Sequence, residues 1–598
     1  MRLRPWLLIL AVCVSCLPAQ VAPRKDSVVV TGTFDPVGLD ELDRAILSLP
    51  VRAQESLVNS WVDVLKTDPS IDLRGRAPNG VQSDISIRGS TFGQTLILLD
   101  GVRINDVQSA HHNMDLPVPL GSIDRVEVLH GSGSALYGSD AVGGVVNIIT
   151  RPPESTEILL RTAVGNFGVN QQSGSINLAL PRLTEQLSFS RDFSSGFKFD
   201  RDYRNLSFGS ITHALSPLGT SDLVLAYSDR PFGADQFYGN YPSWENTKTW
   251  FASVRQQLTA GTEAVFAYRR HSDLYVLYRD QPERYTNHHS DEAFQGALRR
   301  SDSLGANASL HYGAEVYHES VISTNLGNHD RNRGAVYLAL DVRALRRFSF
   351  SIGGREDLFE SQGGTGVSGQ FNPNFAAGYW LTPKIRLRGG GSRAFRLPTY
   401  TDLYYKDPAN VGNPALRPER AWSYEGGVDV HIAPGLRAEA TVWRRLDRDG
   451  IDYVRSSLTD PWRATNFQRL DFTGFEGALR AALGKVQTLT VRYASIHGVQ
   501  EALGELYSKY AFNFPSNSAT VEYQAVLGPV LLRTRIGAIQ RIQRDPYGLW
   551  DAYFAWSRRS IRPFLQFTNL SNTQYQEILG VDMPGRAVVG GVELKIFR

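Results

Sequence analysis

Some residues of this 598-residue chain have side chains and spacings that could do chemistry. Asp200, Asp202, Asp229 and Asp235 fall on two neighbouring polar stretches, and gathered carboxylate oxygens suit Ca²⁺, although aspartates are commonplace in loops. His111 and His112 follow Asn105, Asp106 and Gln108. Adjacent imidazoles rarely reach one metal together and no third ligand is evident, so a solvated loop is expected there. Arg88, Arg125 and Glu127 stand among short apolar runs, where an unpaired charge is costly. They are expected to pair with distant carboxylates, for which Glu425 and Glu476 are candidates, or to point into a wet gap. Aromatics recur at Phe237, Tyr238, Tyr241, Trp244, Tyr275, Tyr278, Tyr285, Tyr404 and Tyr405, with His288 and His289 among them. Such stretches give a binding surface large contact area at low entropic cost. About half are expected to serve instead as packing or as an interfacial girdle.

None of this amounts to a catalytic set. Gly131-Ser132-Gly133-Ser134 lacks the Gly-Lys-Ser/Thr of a phosphate loop, and Gly138-Ser139-Asp140-Ala141 lacks the closing Gly of a nucleophile elbow. Both cysteines, Cys13 and Cys16, lie in the leader, so its removal would leave no thiol, disulfide or Cys-ligated metal. The 63 Lys and Arg nearly balance the 60 Asp and Glu, which gives no broad electrostatic case for nucleic acid.

The elements that must position these residues follow from periodicity. Met1–Gln20 has two arginines, an apolar centre and a Pro18-Ala19-Gln20 end, the pattern of a secretory signal peptide. Asp26, Ser27, Val28, Val29, Val30 and Thr31 form a β-branched run, expected to be extended and unpaired. Gln54–Thr67 carries Leu57, Trp61 and Leu65 four residues apart, which predicts an amphipathic helix ending before Pro69. Three apolar runs, Leu96–Leu99, Val126–Leu129 and Val145–Ile149, are punctuated by Gly and Asp and predict strands of a small packed domain. From Ser155 onward, segments of about ten residues alternate apolar and polar between polar turns, as transmembrane barrel strands do. The length allows about 20 residues per strand and connection for roughly 22 strands.

On these residues the chain resembles the TonB-dependent outer-membrane receptors. DISIRGSTFGQTLILLDGVRIND and SIDRVEVLHGSGSALYGSDAVGGVVNIITR are similar to that family's plug, and YGSDAVGGVVNIIT is especially similar to its cobalamin receptors. SRAFRLPTYTDLYY, GNPALRPERAWSYEGG and TGFEG are similar to its barrel. The resemblance implies an all-β transmembrane barrel of about 22 antiparallel strands around an N-terminal α+β plug. The expected division is a signal peptide (1–20), a TonB-box segment (21–33), a plug (34–152) and a barrel (153–598). It further implies capture of residues 26–31 by a TonB-type periplasmic energy-coupling protein through strand addition, outer-membrane lipid around a monomer, and no nucleic acid. A ligand arriving from outside would meet Ser90, Thr91, Phe92, Asn105, Asp106, Gln108, His111 and His112 of the plug and the aromatic loops of the barrel. No cofactor is required, and the four aspartates are similar to positions where cobalamin receptors hold calcium. The function implied is active import of a scarce bulky nutrient: a corrinoid first, a ferric siderophore as the alternative. A passive porin would need neither plug nor coupling strand. An outer-membrane hydrolase would need a Ser/His/Asp set, and a soluble two-domain β-protein remains the other rival.

Overall fold

The computed structural model describes residues 28–29, 31–32, 37–38 and 41–597, apart from 151, 346, 361–365, 468, 500–505, 512 and 558–559. From Glu157 onward, 22 strands join antiparallel neighbour to neighbour. The first, Glu157–Gly165, pairs along its length with the last, Ala587–Phe597. Closure leaves no ladder edge in lipid, where each unpaired N–H or C=O would cost several kcal/mol.

Period-two alternation decides which side chains face which solvent. In Thr262–Val276, Ala267, Arg269, His271 and Asp273 are buried on the inside, whereas Phe266 is 55% exposed. Trp250, Phe266, Leu298, Val316, Val336, Ile352 and Phe375 repeat that outward apolar position on seven successive strands. Such a belt would aggregate in water and is what acyl chains cover. Connections at one end are tight, as at Pro181-Arg182 and Pro217-Leu218, and those at the other are longer. Four segments among the long connections, Asn410–Val411, Gly450–Arg455, Trp462–Phe467 and Tyr507–Ser508, form a separate sheet.

Inside the barrel lies a five-stranded sheet in the order Ile46–Pro50, Ile123–His130, Gly144–Thr150, Thr95–Leu99, Val102–Arg103. The three apolar runs of the sequence are its middle strands, and two of them pair in parallel. Tight packing requires glycine at 144, where a Cβ would lie 2.5 Å from the Leu129 carbonyl oxygen. The helix expected over 54–67 is broken. Arg52–Leu57 is a 3₁₀ segment and only Trp61–Leu65 is α-helical. Ser60 and Asp63 form a capping box, with Ser60 N donating to Asp63 Oδ2 at 3.2 Å, so a new helix starts where the periodicity suggested continuation.

Plug and wall meet in two different ways. Plug residues such as Val64, Ile97 and Val126 share one apolar core with Ile211, Val224, Phe251, Val265 and Ala297 of the wall. Across the lumen the seam is polar. Asp72 takes both Nη atoms of Arg541, Gln94 donates to Glu419 at 2.9 Å, and Arg445 donates to the Arg88 carbonyl at 3.1 Å. Val28–Val29 pairs with Val37–Gly38, which corrects the expectation of an unpaired run at these two positions, because an extended β-branched segment offers a ladder edge to the nearest chain. Asp26, Ser27, Val30 and the expected signal peptide lie outside the described residues.

Candidate functional site

The polar seam centres on Arg88. Its Nε and Nη2 donate to the two carboxylate oxygens of Glu476 at 2.7 and 2.8 Å, and Nη1 donates to Glu425 at 2.8 Å. Arg88 is 3% exposed, so these charge-assisted bonds are little screened. The Arg88-Gly89 turn holds both residues at positive φ, +53° and +69°. For a residue with a Cβ this costs about 1–2 kcal/mol, which the bidentate pairing offsets. His130 completes the cluster, with Nε2 2.8 Å from Asp68 and Nδ1 3.2 Å from Glu476. Burial opposes the imidazolium, but the two carboxylates outweigh it and push His130 up to about 9.

Arg125 and Glu127 behave otherwise. Arg125 Nε donates to Glu127 Oε1 at 2.8 Å and Nη1 to Asp124 at 3.1 Å, all within the plug. Of the two expectations, this corrects pairing with the wall, because residues two apart on one strand share a face, while Arg125 lines the gap between plug and wall as the other expectation had it. Glu127 also accepts the Thr31 N–H at 2.8 Å, while Asn147 donates to the Thr31 hydroxyl at 3.0 Å. The end of the expected coupling segment is thereby tied to the middle of the plug sheet. Between plug and wall, beside the tight Ala260-Gly261 turn, lies a cavity of about 670 Å³ lined by Asp100, Arg125, Asn147, Arg255 and Glu263 among others.

At the end with long connections, aromatic residues from plug and barrel converge. Phe92 stacks on His111 with centroids 4.2 Å apart and meets Tyr510 edge-on at 5.1 Å. Tyr238 lies 5.6 Å from Tyr275, and its hydroxyl donates to Glu245 of the wall at 2.7 Å and lies 2.6 Å from the Gln82 side-chain amide of the plug. Tyr241 and Tyr278 meet at 5.8 Å, Tyr404 stacks on His329 at 3.7 Å, Asn287 donates to the Tyr285 hydroxyl, and Tyr405 donates to Asp407. Trp244 begins a wall strand and is half-buried. Tyr510 and His329 were missed because nothing in their own segments marks them; only the fold brings them to Phe92 and Tyr404.

Several expected ligand contacts are structural instead. Ser90 accepts Ile87 N–H, Thr91 N donates to Gln94, and Asn105 bonds both Ile97 N and Thr95 O. Asp106 accepts the N–H groups of Gln108, Ser109 and Ala110, and Phe237 is buried against Phe232 beneath Arg201. These side chains shape the loops and leave little to offer a ligand. The four aspartates do not form a shared calcium pocket. Arg279 reaches Asp200 and Asp202 together, so a guanidinium takes the place between them, and Asp229 pairs with Arg204. Asp235 lies near Arg201 and is not in a metal-competent group with the others.

The solvated loop expected at His111-His112 is also corrected. His111 Nδ1 lies 2.8 Å from Asp84, which Arg76 and His111 hold well below the usual carboxylate range although burial opposes them. His112 is 5% exposed and faces Asp115, Glu245, Asp273 and the His271 ring. Gln108 is buried beside it and donates to Asp273 at 3.4 Å. A signal for this cluster does exist in the sequence: His-Ser-Asp occurs at 271–273 and again at 289–291. In antiparallel register His271 opposes Asp291 and Asp273 opposes His289.

Comparison with known proteins agrees with this architecture. Residues 162–571 match the family described as TonB dependent receptor-like, beta-barrel, and residues 51–145 match the TonB-dependent Receptor Plug Domain. The chain is 24% identical over 494 residues, 77% of each chain, to a protein of Vibrio vulnificus named vitamin B12 transporter BtuB. It is 26% identical over 519 residues, 77% of this chain and 76% of the other, to an iron-regulated outer membrane virulence protein of Vibrio cholerae. Among solved structures, the siderophore receptor PirA from Acinetobacter baumannii superimposes with a TM-score of 0.75 at 16% identity, covering 93% of this chain and 99% of that one. A mutant of the ferric enterobactin receptor PfeA of Pseudomonas aeruginosa, in complex with enterobactin, gives 0.76 at 16% identity, covering 93% and 100%. With a 22-strand barrel closed by a plug and both domains matched, this chain belongs to the TonB-dependent receptors, transporters of the bacterial outer membrane.

Proposed function

We propose that the protein imports a corrinoid across the outer membrane, drawing energy from a TonB-type partner that pulls on the segment around Val28–Thr31. The observation that carries this reading is the tie between Thr31 and the plug sheet through Glu127 and Asn147. Tension on the N-terminal segment is delivered to the strands Ile123–His130 and Gly144–Thr150, which line the 670 Å³ cavity through Arg125, Asn147, Ile149 and Thr150. Moving those strands would enlarge an existing gap, so only part of the plug has to leave. The outer aromatic group of Tyr238, Tyr275 and Tyr510, packed beside the buried Phe92, offers flat apolar faces with hydroxyl rims, suited to a large, partly apolar ring system. Relatives named as vitamin B12 transporters, one matched over 96% of both chains at 25% identity, support the corrinoid.

A ferric siderophore is the second reading, supported by the iron-regulated relative and the siderophore-receptor folds. Equilibrium binding of cyanocobalamin and of a ferric-siderophore panel to the detergent-solubilised protein separates the two. Saturable cyanocobalamin binding that weakens in Tyr275→Ala supports the first reading. Binding confined to a ferric siderophore overturns it.

A further inference from the structure

The cluster around His112 and His271 has a composition and spacing that pairing with Arg and Lys does not explain. Asp106, Asp115, Glu245, Asp273 and Asp291 are all buried there. Arg230 pairs with Asp115 and Arg269 with Asp291, and no other guanidinium or ammonium lies within ion-pair distance of this group among the described residues. Asp106, Glu245 and Asp273 thus have no Arg or Lys partner. The His271 ring is fully buried, yet neither of its nitrogens has a hydrogen-bond partner. Nε2 lies 3.5 Å from Asp115 Oδ2 and Nδ1 3.4 Å from Asp291 Oδ1. His112 repeats the arrangement, with Nδ1 3.8 Å from Asp115 Oδ2 and Nε2 3.4 Å from Glu245 and 3.7 Å from Asp273.

Separations of 3.4–3.8 Å are long for charge-assisted hydrogen bonds, which close to about 2.7–2.9 Å. The two that reach Asp115, 3.8 Å from His112 and 3.5 Å from His271, are near the distance between two ligands of one metal: at about 2.0–2.1 Å from a tetrahedral centre, neighbouring ligand atoms sit about 3.4 Å apart. His112, Asp115 and His271 each offer an atom within 4.8 Å of the others. The remaining nitrogen of each imidazole faces a carboxylate, Glu245 and Asp273 for His112 and Asp291 for His271. This is the outer-shell pattern that fixes the tautomer of a metal-bound histidine. Asp115 is itself oriented by Arg230 at 2.7 Å and Thr247 at 2.7 Å.

We propose that His112, Asp115 and His271 bind one first-row divalent metal ion, of the class represented by Zn²⁺, with a fourth position left for water or another oxygen. Two nitrogens and one oxygen suit such an ion and not Ca²⁺, which takes oxygen ligands. Two ligands come from the plug loop and one from the wall, so the ion would pin that loop to strand Thr262–Val276. Glu245 accepts from Tyr238, whose ring is part exposed, so the site lies one side chain beneath the outer surface. The proposal is independent of which nutrient is imported.

The test uses the full chain in detergent, stripped with a chelator and then titrated with Zn²⁺ by calorimetry and with Co²⁺ by visible absorption. One equivalent of Zn²⁺, unaffected by excess Ca²⁺, and the d–d bands of four- or five-coordinate Co²⁺ are expected. His112→Gln on the plug and His271→Gln on the wall should each weaken binding by about 100-fold or more, with heat-modifiable gel mobility reporting an intact barrel. X-ray absorption at the zinc edge of the wild type should count two imidazoles, a readout that needs no variant to fold. Lack of stoichiometric binding by the wild type, a zinc shell without imidazole, or unchanged affinity in both folded variants would overturn the proposal.

Discussion

Arg88→Met removes the three guanidinium donors that reach Glu425 and Glu476 while keeping a long apolar side chain. The two carboxylates stay where they are, 8% and 14% exposed. Glu476 retains His130 at 3.2 Å; Glu425 retains the Ala45 N–H at 3.2 Å and Arg44 at 3.9 Å. Breaking a buried ion pair by deleting one partner costs about 3–5 kcal/mol, mostly as uncompensated charge. Because each carboxylate keeps a weaker partner, the lower end applies, about 3 kcal/mol. At 1.4 kcal/mol per decade this raises the unseated fraction of the plug about 100-fold. Native-state hydrogen exchange reads it directly: the slowest plug amides in Ile123–His130 and Gly144–Thr150 should lose about 100-fold in protection, with the barrel amides as internal control. Adding Glu425→Gln and Glu476→Gln to Arg88→Met removes the stranded charges and should restore most of the loss. Plug protection within about threefold of wild type in the single variant would refute the view that charge holds this side of the seam. A triple variant as labile as the single one would place the loss in packing instead.

Three further outcomes follow from the same contacts. His130 is raised from 6.5 to about 9 in the folded state, so its contribution is fully present below pH 6.5 and is lost as pH rises through 9; plug protection should fall across that window, and the slope should vanish in His130→Gln. Glu127→Ala strips the buried Thr31 N–H of its acceptor, and exchange at that amide should speed by at least about tenfold; an unchanged rate would show that the segment is held elsewhere. Gly144→Ala sets a Cβ against the Leu129 carbonyl, which belongs to the paired strand and cannot give way, so the plug should lose about 1–3 kcal/mol in the same exchange measurement while barrel mobility on gels stays normal.

Much of the architecture was legible in the residues themselves. Alternation in Thr262–Val276 already says that His271 and Asp273 face one way and Phe266 the other, because a strand has period two. The three apolar runs around 96–149 announced the plug sheet, since strands covered on both faces lose their alternation. Arg88 stood out because an arginine between apolar strands needs a partner. Local periodicity misjudged the helix at 54–67, where the Ser60 and Asp63 side chains start a new helix inside an uninterrupted apolar pattern. The cost of an unpaired charge pointed Arg125 and Glu127 to the wall, but they pair with each other, and Arg125 lines the gap between plug and wall that was the other expectation.

By itself the sequence determined the class of molecule: a small packed sheet, then a long run of two-faced strands whose alternation fits lipid on one side. Glu425 and Glu476 were already candidate partners for Arg88 in the sequence, but which of the inward-facing side chains meet was decided by the tertiary structure. Arg88 and Glu476 are 388 residues apart, and His112 reaches His271 only after the wall closes and the plug loop enters it. The physical reason is that pattern reports the direction of a side chain, while contact depends on the register of every strand between two residues and on the docking of one domain inside the other.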